Sequence, residues 1–328
     1  MNLSIIIPIY NAASYINTCL NSIIKQEWLP REYELVIVDD GSTDNSRQII
    51  ASWFKRLPIV LLTQENKKQA AARNKALDKA SGEYILFIDI DDTLEPDMVK
   101  NLYRSIVNYD LVESGINKTF IGKKGEVINK VTELPIIKQA KNKKDLISLY
   151  FQANTECDVG LWNKMFRRKI IEQNHLRFTN ANFYEDSLFI AQYLNSVEYS
   201  RIRIIEQPLY NFYKRQGSTT TAFHYEIDQL SKTYLMKCKQ LLKETQLNDV
   251  EQKKLIISLN MRVWIYTIHH HIKYDLKWDS KKQRDYLLHK IGFLNSVQAK
   301  VPVKYRIAFF GMYFFPFGYN KLYRNKYI

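Results

Sequence analysis

The sequence has few cysteines, no long hydrophobic run and no recognisable signal segment. Cys19, Cys157 and Cys238 are the only cysteines among 328 residues, and their spacing matches neither a metal site nor a disulfide framework. A chain so poor in cysteine is typical of a reducing compartment. No apolar run reaches the roughly 20 residues of a membrane-spanning helix. The first residues lack a basic segment and become polar at Asn11, so we expect a cytoplasmic protein without a signal peptide.

Acidic residues are scarce in the last third of the chain. The whole chain carries 48 Lys and Arg against 34 Asp and Glu, a net charge of +14. Residues 225–328 hold 19 of these basic side chains and 8 of the acidic ones, which accounts for +11 of the net charge. A basic segment that is also rich in aromatic residues indicates an anionic partner, either a membrane surface or a nucleic acid.

Strand and helix patterns alternate through about the first hundred residues. Short apolar or β-branched runs, typical of buried strands, alternate with segments of helical periodicity. The predicted strands cover residues 3–11, 33–38, 59–62 and 84–88. Such alternation indicates βαβ units, so we predict an α/β fold with a mainly parallel central sheet.

Acidic turns follow two of these strands at their carboxyl ends. Asp39 and Asp40 follow the second strand, and Asp89, Asp91 and Asp92 follow the fourth. The carboxyl ends of parallel strands form one edge of a sheet, where ligands of open α/β sheets bind. In such a crevice Asp40 could accept a hydrogen bond from a base or a ribose, and Asp89 with Asp91 could hold Mn²⁺ or Mg²⁺ on a diphosphate. Each turn taken alone could equally be a solvated loop.

Four short motifs in this region, taken in order, resemble a known enzyme family. They are Pro8-x-Tyr10-Asn11, the run from Val38 to Asp44, Ala72-Arg73-Asn74, and the run from Phe87 to Asp92. Together they resemble the family-2 glycosyltransferases of the GT-A fold, in particular bacterial enzymes of capsule, exopolysaccharide and cell-surface glycan synthesis. The resemblance implies a Rossmann-like nucleotide-diphospho-sugar transferase domain, inverting transfer from a nucleotide-activated sugar, and Mn²⁺ or Mg²⁺ as cofactor.

The resemblance also implies which residues form the donor site. They are Pro8, Tyr10, Asp40, Asn66, Arg73, Asp89, Ile90, Asp91, Arg215 and Ser218. The first three would line the nucleoside pocket, with Asn66 and Arg73 close to it. Asp91 would bind the metal, and Asp89 would contact the ribose or the metal. A segment like the family's Tyr-Arg-x-x-x-Ser loop would supply Lys214 and Arg215 to grip the diphosphate, with Ser218 as a hydrogen-bond donor. An ordinary basic turn is the alternative for that segment.

Two further segments carry predictions for catalysis and acceptor binding. Glu185 and Asp186 begin a predicted helix, and by resemblance they form the family's Glu-Asp motif with Asp186 as the catalytic base. Inverting transfer needs a carboxylate that takes the proton of the attacking hydroxyl. By the same resemblance Trp162, Lys164 and Glu185 would contact the acceptor. The alternatives are carboxylates that merely suit the helix dipole and a core tryptophan beside a surface lysine.

Two other functions remain open from the sequence. The segment Asp89-Ile90-Asp91-Asp92-Thr93 also fits the Asp-x-Asp-x-Thr signature of haloacid-dehalogenase-like phosphatases, in which the first aspartate is a nucleophile. That signature usually follows the first strand of the core, whereas three strand–helix units precede it here. The basic C-terminal region would also suit a non-catalytic protein that binds a membrane or a nucleic acid. That function would leave the ordered acidic motifs unexplained.

The last hundred or so residues show helical spacing and contain an aromatic stretch at 307–317. Basic side chains flank the stretch at Lys304, Arg306, Lys321 and Arg324. A short aromatic segment between basic residues is typical of a helix in the membrane interface. Core packing and a subunit contact are the alternatives.

We therefore predict three regions and one activity. Residues 1–105 would form the nucleotide-sugar-binding half of a GT-A domain, residues 106–224 its acceptor-binding half, and residues 225–328 a helical, basic region. The predicted reaction moves a hexosyl or N-acetylhexosaminyl group from a UDP-sugar to a hydroxyl of a surface-polysaccharide or lipid-linked glycan. We expect a cytoplasmic enzyme that associates peripherally with the inner face of the cell membrane and has no nucleic-acid partner.

Overall fold

The chain forms two compact units in a computed structural model that describes residues 1–122, 124–153, 155–179, 183–215, 226–275 and 277–327. Met1–Gln139 and Thr155–Thr220 make up the first unit, and Ala140–Asn154 and Thr221–Ile328 make up the second. Residues 140–154 therefore group with the C-terminal residues, although they lie inside the predicted acceptor-binding half.

The first unit is built on a nine-stranded sheet. Its strands are β1 (Leu3–Ile9), β2 (Tyr33–Asp39), β3 (Ile59–Thr63), β4 (Tyr84–Phe87), β5 (Thr93–Leu94), β6 (Leu111–Ile121), β7 (Val127–Glu133), β8 (Lys164–Arg167) and β9 (Ile202–Arg215). They lie in the order β3-β2-β1-β4-β8-β6-β9-β5, and β7 pairs with β6. The strands predicted in the first hundred or so residues correspond to β1–β4.

The four N-terminal strands form a parallel sheet, in which β1 pairs with β2 and β4, and β2 pairs with β3. All seven residues of β1 are buried, as expected for a strand whose two faces are covered. Pairing between β1 and β4 ends at Ile6 and Phe87. Pro8, which has no N–H, therefore lies beyond that ladder and interrupts no hydrogen bond in it.

The remaining strands extend this sheet in mixed orientation. β8 pairs antiparallel with both β4 and β6, while β9 pairs parallel with β6 and antiparallel with β5. β7 pairs antiparallel with β6. The predicted α/β class is confirmed, and its parallel character is concentrated in the N-terminal strands.

Helices of the first unit cover the parallel strands and their extension. They are α1 (Ile16–Ile24), α2 (Ser46–Ala51), α3 (Lys68–Lys79), α4 (Met98–Ile106), α6 (Glu156–Val159), α7 (Arg168–Gln173) and α8 (Glu185–Ser196). Short 3₁₀ helices span Ile136–Gln139 and Tyr199–Arg201. α1 shows why these segments are helical, because its buried residues Ile16, Cys19, Leu20 and Ile23 recur at the spacing of one helix face.

The second unit consists of helices in the part of it that the structure describes. They are α5 (Lys143–Ala153), α9 (Ile227–Lys243), α10 (Asp249–Tyr274), α11 (Ser280–Lys290), α12 (Phe293–Gln298), α13 (Val303–Phe314) and α14 (Pro316–Tyr327). A capping box formed by Asn248 and Glu251 defines the start of α10. No helix within the described ranges is long and apolar enough to cross a membrane.

Candidate active site

Side-chain hydrogen bonds tie the loops after β1 and β2 together. The Ser42 hydroxyl accepts from the Asn11 N–H at 2.9 Å, and the Asn11 side-chain oxygen accepts from the Thr43 N–H at 2.8 Å. Asn11 has a φ of 48°, a left-handed conformation that asparagine tolerates better than most residues. The Ser46 hydroxyl, at the start of α2, accepts from the Ala12 N–H at 2.9 Å. These bonds make the two loops one rim at the carboxyl edge of the parallel strands.

Asp40 joins this rim to the loop after β3. Its Oδ1 accepts from the Gln64 side chain at 2.7 Å and from the Lys67 N–H at 2.8 Å. Gly41 has a φ of +80°, and a Cβ there would lie 3.0 Å from the backbone nitrogen of Asn66. The left-handed backbone and the close approach of Asn66 both require glycine at this position. Three loops thus converge around the Asp40 carboxylate.

The other residues predicted for the nucleoside lie in the same loops. Pro8 is buried near the end of β1, and Tyr10 follows it with 49% of its surface exposed. Asn66 is exposed in the loop after β3. The fold therefore gathers Pro8, Tyr10, Asp40 and Asn66 at one edge of the sheet, where an exposed ring and a fixed carboxylate suit the recognition of a nucleoside.

The acidic turn after β4 presents two carboxylates, each already in contact with an arginine. Oδ2 of Asp91 lies 3.3 Å from Nη1 of Arg215, which also donates to the Asp91 carbonyl at 2.9 Å. Oδ1 of Asp89 accepts from Nη2 of Arg73 at 2.9 Å. Burial and the negative charge of Asp89 raise the pKa of Asp91, and Arg215 opposes that rise. Ile90, between the two, packs into the core and anchors the turn.

Asp92 connects the acidic turn to β9. Its carboxylate is 1% exposed and accepts from the Tyr210 hydroxyl at 2.9 Å and the Tyr213 N–H at 2.8 Å. The Tyr210 hydroxyl in turn accepts from the Asp89 N–H at 3.2 Å. Neither Asp92 nor Tyr210 was predicted as a site residue. No local signal distinguishes them, because the two partners are 118 positions apart in the sequence.

Arg73 connects the acidic turn to the start of α8. Its side chain is 1% exposed, with Nη2 at 2.9 Å from Asp89 and Nη1 at 2.6 Å from Asp186. Glu185 lies 3.9 Å from the same Nη1. A guanidinium presents its N–H donors in a fixed fork, so one buried arginine can bind two carboxylates in a single geometry. The predicted metal ligand Asp89 and the predicted base Asp186 thus share one cation.

The environment of Asp186 is unusual for an aspartate. Burial raises its pKa to about 8, the Arg73 guanidinium opposes this rise, and the charges of Glu185 and Asp89 add to it. The side chain still keeps 27% of its surface exposed. A raised pKa means that the ionised form of this reachable carboxylate binds a proton more tightly than a free aspartate does, which strengthens it as a base.

Asn74 positions the segment that leads to α8. Its side chain accepts from the Phe178 N–H at 2.8 Å and donates to the Phe178 carbonyl at 2.9 Å. The Phe178 ring stacks on Phe189 of α8, with 4.3 Å between centroids, and lies 5.5 Å from the Arg73 guanidinium. Neighbouring residues of α3 therefore bind the candidate base and the chain leading to it, which accounts for the Ala72-Arg73-Asn74 motif.

Trp162 lies in the interior of the first unit. It is 5% exposed and belongs to the hydrophobic core. Its ring stacks on Tyr210 and Phe212 of β9, with centroids 4.7 and 5.1 Å away. The ring therefore supports the strand that also holds Asp92, and any contact with an acceptor would involve only its small exposed portion.

Lys164 is fully buried together with Glu113. Its Nζ lies 3.0 Å from Oε1 of Glu113 and donates to the carbonyls of Cys157 and Gly160 at 2.8 and 2.7 Å. Both charged side chains are 0% exposed. Burial raises the pKa of Glu113 to about 8, while the Lys164 charge lowers it. This position argues against the predicted direct contact between Lys164 and an acceptor.

The cations predicted to grip a diphosphate contact acidic side chains. Arg215 contacts Asp91, and its guanidinium lies 4.7 Å from the centre of the Tyr15 ring. Lys214 lies 2.5 Å from Glu156, which also pairs with Lys118. Ser218 lies outside the described residues. No group of three or more His, Cys, Asp or Glu side chains that could hold a metal occurs among the residues that the structure describes.

Comparison with solved structures confirms the predicted GT-A-type fold. A crystal structure of S. aureus TarS in complex with UDP-GlcNAc has a TM-score of 0.69 at 19% identity, covering 100% of this chain and 91% of that one. The mannosyltransferase PcManGT from Pyrobaculum calidifontis, in complex with GDP-Man and Mn²⁺, has a TM-score of 0.50 at 15% identity, covering 96% and 88%. At such identities the likeness concerns the fold alone.

Sequence comparisons identify the family. The "Uncharacterized glycosyltransferase YibD" of Escherichia coli is 30% identical over 221 residues, which cover 66% of this chain. This match spans 63% of the length of YibD, less than two thirds. The family model described as "Glycosyl transferase family 2" matches residues 4–174, just over half of the chain and including all the N-terminal loops described above. The chain therefore belongs to glycosyl transferase family 2, as its ordered motifs predicted.

Proposed function

We propose that this chain transfers a sugar from a nucleotide-diphospho-sugar to a hydroxyl of a glycan, with inversion at the anomeric carbon. The observation that carries the proposal is the buried Arg73 guanidinium, which contacts both Asp89 and Asp186. It joins the loops suited to a nucleotide to a carboxylate with a raised pKa. Sugar transfer needs these two functions side by side, a donor site and a base for the acceptor.

The donor is proposed to be a UDP-sugar with a hexosyl or N-acetylhexosaminyl group. Tyr10, Asp40 and Asn66 lie in loops that meet at one edge of the sheet, which supports a nucleoside site there. TarS binds UDP-GlcNAc in its crystal structure, which supports uridine as the base. GDP-sugars are the alternative, because the solved structure of PcManGT is a complex with GDP-Man.

Asp91 and Asp89 are the residues proposed to hold Mn²⁺ or Mg²⁺. Their donor set fits, because such ions are bound by one or two carboxylates together with phosphate oxygens and water. The raised pKa of Asp91 beside Asp89, and the Arg215 cation already against Asp91, indicate a position that favours positive charge. When bound, the ion would neutralise negative charge on the departing diphosphate.

Asp186 is proposed as the general base of a single displacement. It would take the proton of the acceptor hydroxyl while that oxygen forms a bond to the anomeric carbon. The bond from this carbon to the diphosphate oxygen breaks at the same time, and its electron pair leaves with the nucleoside diphosphate. Arg73 would hold the carboxylate in place at 2.6 Å. Lysine at position 73 would keep the charge but lose the fork that reaches both carboxylates.

Arg215 is proposed to exchange its contact with Asp91 for the diphosphate of the donor. The Arg215 side chain is 25% exposed, and its long aliphatic stem can rotate toward a phosphate. A guanidinium is a strong bidentate donor to phosphate oxygens. Ser218 follows in the sequence as a proposed hydrogen-bond donor. Lys214, which contacts Glu156, is a second candidate to bind the negatively charged diphosphate.

The acceptor is proposed to be a surface-polysaccharide or lipid-linked glycan. The motifs shared with bacterial enzymes of surface-glycan synthesis support this class. Glu185, 12% exposed beside Asp186, and the exposed part of Trp162 are the proposed contacts. Lys164 would act from within the core through its pair with Glu113, as a positioning residue.

Thermal stabilisation by nucleotide sugars tests this proposal. UDP-sugars and GDP-sugars would be screened with and without Mn²⁺ on the native protein, on Asp91→Asn and on the control Asp78→Asn. Asp78 is a suitable control because its carboxylate is 67% exposed, far outside the acidic turn. A ligand present at 100 times its Kd stabilises the native state by about 2.7 kcal/mol. We expect the Mn²⁺-dependent part to disappear in Asp91→Asn and to persist in Asp78→Asn.

Two outcomes would contradict the proposal. If no nucleotide sugar stabilises the native protein, the rim formed by the loops after β1, β2 and β3 is not a donor site. If the protein releases phosphate from simple esters without preference for a nucleoside, the acidic turn serves the phosphatase chemistry that its sequence also resembles. Membership of glycosyl transferase family 2 argues against that second outcome.

A further inference from the structure

Helix α13 carries an apolar stripe on its outer face in addition to the face that packs into its unit. The inner face consists of Ala308, Phe309 and Met312, all at most 5% exposed. On the outer face Val303, Ile307 and Phe314 are 67%, 64% and 53% exposed. Successive positions at 303, 307, 310 and 314 follow helical spacing and therefore form one stripe. The core of the unit does not account for this second apolar face.

The stripe continues onto the neighbouring helices α12 and α14. Phe310, within the stripe, contacts Phe314 with 6.2 Å between ring centroids and contacts Phe293 of α12 with 5.9 Å. Leu294, next to Phe293, is 75% exposed. At the other end, Phe315 and Phe317 are 73% and 84% exposed. We call Leu294, Val303, Ile307, Phe314, Phe315 and Phe317 the outer apolar surface.

Single exposed apolar side chains are ordinary, but a connected group of this size is not. Exposed contiguous apolar patches on soluble proteins mark contact with a membrane, a protein or a ligand. Four of the six residues of the outer apolar surface, Ile307, Phe314, Phe315 and Phe317, lie within residues 307–317, the stretch whose aromatic content stands out in the sequence. The structure divides this stretch between a buried inner face, with Phe309 and Met312, and an exposed outer face, with Ile307 and Phe314.

Charge identifies the kind of surface that these residues fit. From residue 286 to residue 328 the sequence contains seven Lys or Arg and no Asp or Glu. Lys300, Lys304 and Lys321 are exposed on or beside α13 and α14. This segment offers apolar side chains and lysines without a carboxylate of its own, a composition that matches the acyl boundary of a leaflet carrying anionic headgroups. A protein partner would not require the exclusion of acidic residues over so long a segment.

We propose that the outer apolar surface docks the protein onto a membrane leaflet rich in anionic lipid. The rings would enter the headgroup and acyl boundary, and the lysines would remain at the level of the lipid phosphates. No helix in the described ranges could span the bilayer, so this attachment lies on the membrane. The inference stands on the second unit alone and does not depend on the proposed sugar transfer.

Co-sedimentation of the full chain with lipid vesicles tests the inference. Vesicles of phosphatidylcholine with and without phosphatidylglycerol would be compared at low and high salt, without any nucleotide. We expect binding to the anionic vesicles that weakens as salt rises, because screening shortens the reach of the lysine charges. Ile307→Ser/Phe317→Ser should weaken this binding at least tenfold. The matched control Met236→Ser/Val250→Ser, which removes apolar groups that are 62% and 61% exposed elsewhere in the same unit, should bind as the native protein does.

The charge contribution has its own control. Lys304→Glu/Lys321→Glu should lose more binding to anionic vesicles than Lys253→Glu/Lys254→Glu, although both variants change the net charge equally. Circular dichroism would establish that each variant is folded.

A fluorescence measurement tests the inference with single substitutions. The emission of an environment-sensitive fluorophore attached to Phe317→Cys should shift to shorter wavelength on anionic vesicles, whereas the emission of the same label at Met236→Cys should not. The native cysteines Cys19, Cys157 and Cys238 are buried.

Three results would overturn the inference. The first is the absence of binding to any vesicle, and the second is equal binding by the native protein and Ile307→Ser/Phe317→Ser. The third is self-association of the native protein that this variant abolishes, seen by sedimentation velocity without lipid, since the surface would then bind a second copy. Retention of nucleotide-dependent thermal stabilisation in the variant would show that the donor site is intact whichever result is found.

Discussion

The two units depart from ordinary burial in opposite directions. In the first unit Arg73, Asp92 and Lys164 are charged side chains that are at most 1% exposed. In the second unit Phe315 and Phe317 are aromatic side chains that are 73% and 84% exposed. Charged residues are rarely buried fully unless they are paired, and large exposed apolar groups are informative when they are connected. Both features are uncommon in folded proteins, so each calls for an explanation.

The unusual side chains of the first unit contact other residues of that unit, whereas those of the second unit are exposed. The buried charges of the first unit contact one another or polar groups at fixed distances, such as 2.6 Å between Arg73 and Asp186. Such contacts define geometry, which a reaction at one carbon atom requires. The exposed rings of the second unit define no geometry, and they offer area to a partner that needs only an apolar surface. These opposite features are what the proposed sugar transfer and the proposed membrane docking would require of the first and second unit respectively.

The largest effect is expected from Asp186, at the reactive end of the buried network. Asp186→Asn keeps the size of the side chain but cannot take the acceptor proton, so the rate of sugar transfer should fall about 10²–10⁴-fold. Donor binding, measured by thermal stabilisation, should survive. Glu185→Gln is the matched control and should lose much less activity. If Glu185→Gln is the more damaged variant, the base is Glu185.

Disruption of the fully buried Lys164–Glu113 pair should have an effect of similar size in free energy, but on unfolding rather than on the rate of transfer. Lys164→Met leaves the Glu113 carboxylate without its cation, and such a loss typically costs about 3–5 kcal/mol of unfolding free energy. The double variant Lys164→Met/Glu113→Gln should recover part of this, because no buried charge remains. Chemical denaturation followed by circular dichroism measures both. Unchanged stability of Lys164→Met combined with lost acceptor binding would instead support the acceptor contact predicted from the sequence.

The pH dependence of the same variant sharpens this test. Burial raises the pKa of Glu113 to about 8, above its value in the unfolded chain. The native state therefore binds more protons than the unfolded state between those two values, and the contribution of Glu113 to stability declines as pH rises through that window. Without Lys164 the pKa should rise further. The defect of Lys164→Met should accordingly grow as pH rises above about 8, where Glu113 ionises in the native protein but not yet in the variant, and the double variant should not show this trend.

A smaller effect is expected for His269 in the second unit. Burial lowers the pKa of His269 to about 4, and its ring stacks on Tyr323 with 4.2 Å between centroids. The unfolded chain binds the proton first as pH falls below about 6.5, so native stability is lost between there and about pH 4. His269→Phe keeps an aromatic ring at this position but cannot titrate, and it should lose about 3 kcal/mol less than the native protein between pH 7 and pH 4. Parallel losses in both proteins would contradict the assignment to His269.

The smallest effect is expected from the exposed rings. Phe317→Ser should change the unfolding free energy by less than about 0.5 kcal/mol, as surface substitutions usually do. Phe309→Ala, on the inner face of the same helical region and 0% exposed, should cost about 3–5 kcal/mol. Thermal and urea unfolding would compare the two. A large loss in Phe317→Ser would mean that the ring is buried in solution and would remove the contrast between the units.

Short-range sequence patterns were sufficient to predict those strands, turns and helix starts that depend on neighbouring residues. The strands β1–β4 and the acidic turns after β2 and β4 were predicted from runs of apolar residues and the residues that follow them. The start of α8 at Glu185 was predicted in the same way. These features depend on side-chain periodicity within a few residues, and the family motifs fall within them. The orientation of the later strands and the grouping of residues 140–154 could not be predicted from local pattern.

The contacts that give the site its character depend on distant parts of the chain. Arg73 was predicted near the nucleoside, and the tertiary structure joins it to Asp186, 113 positions away. Lys164 was predicted at an acceptor, and strand pairing between β6 and β8 places it beside Glu113 in the core. The sequence by itself determined the α/β units and the order of the acidic motifs, because both follow from neighbouring residues. Which charges became buried partners, and which aromatic residues stayed outside, was decided only when strands and helices packed, because burial is a property of the whole fold.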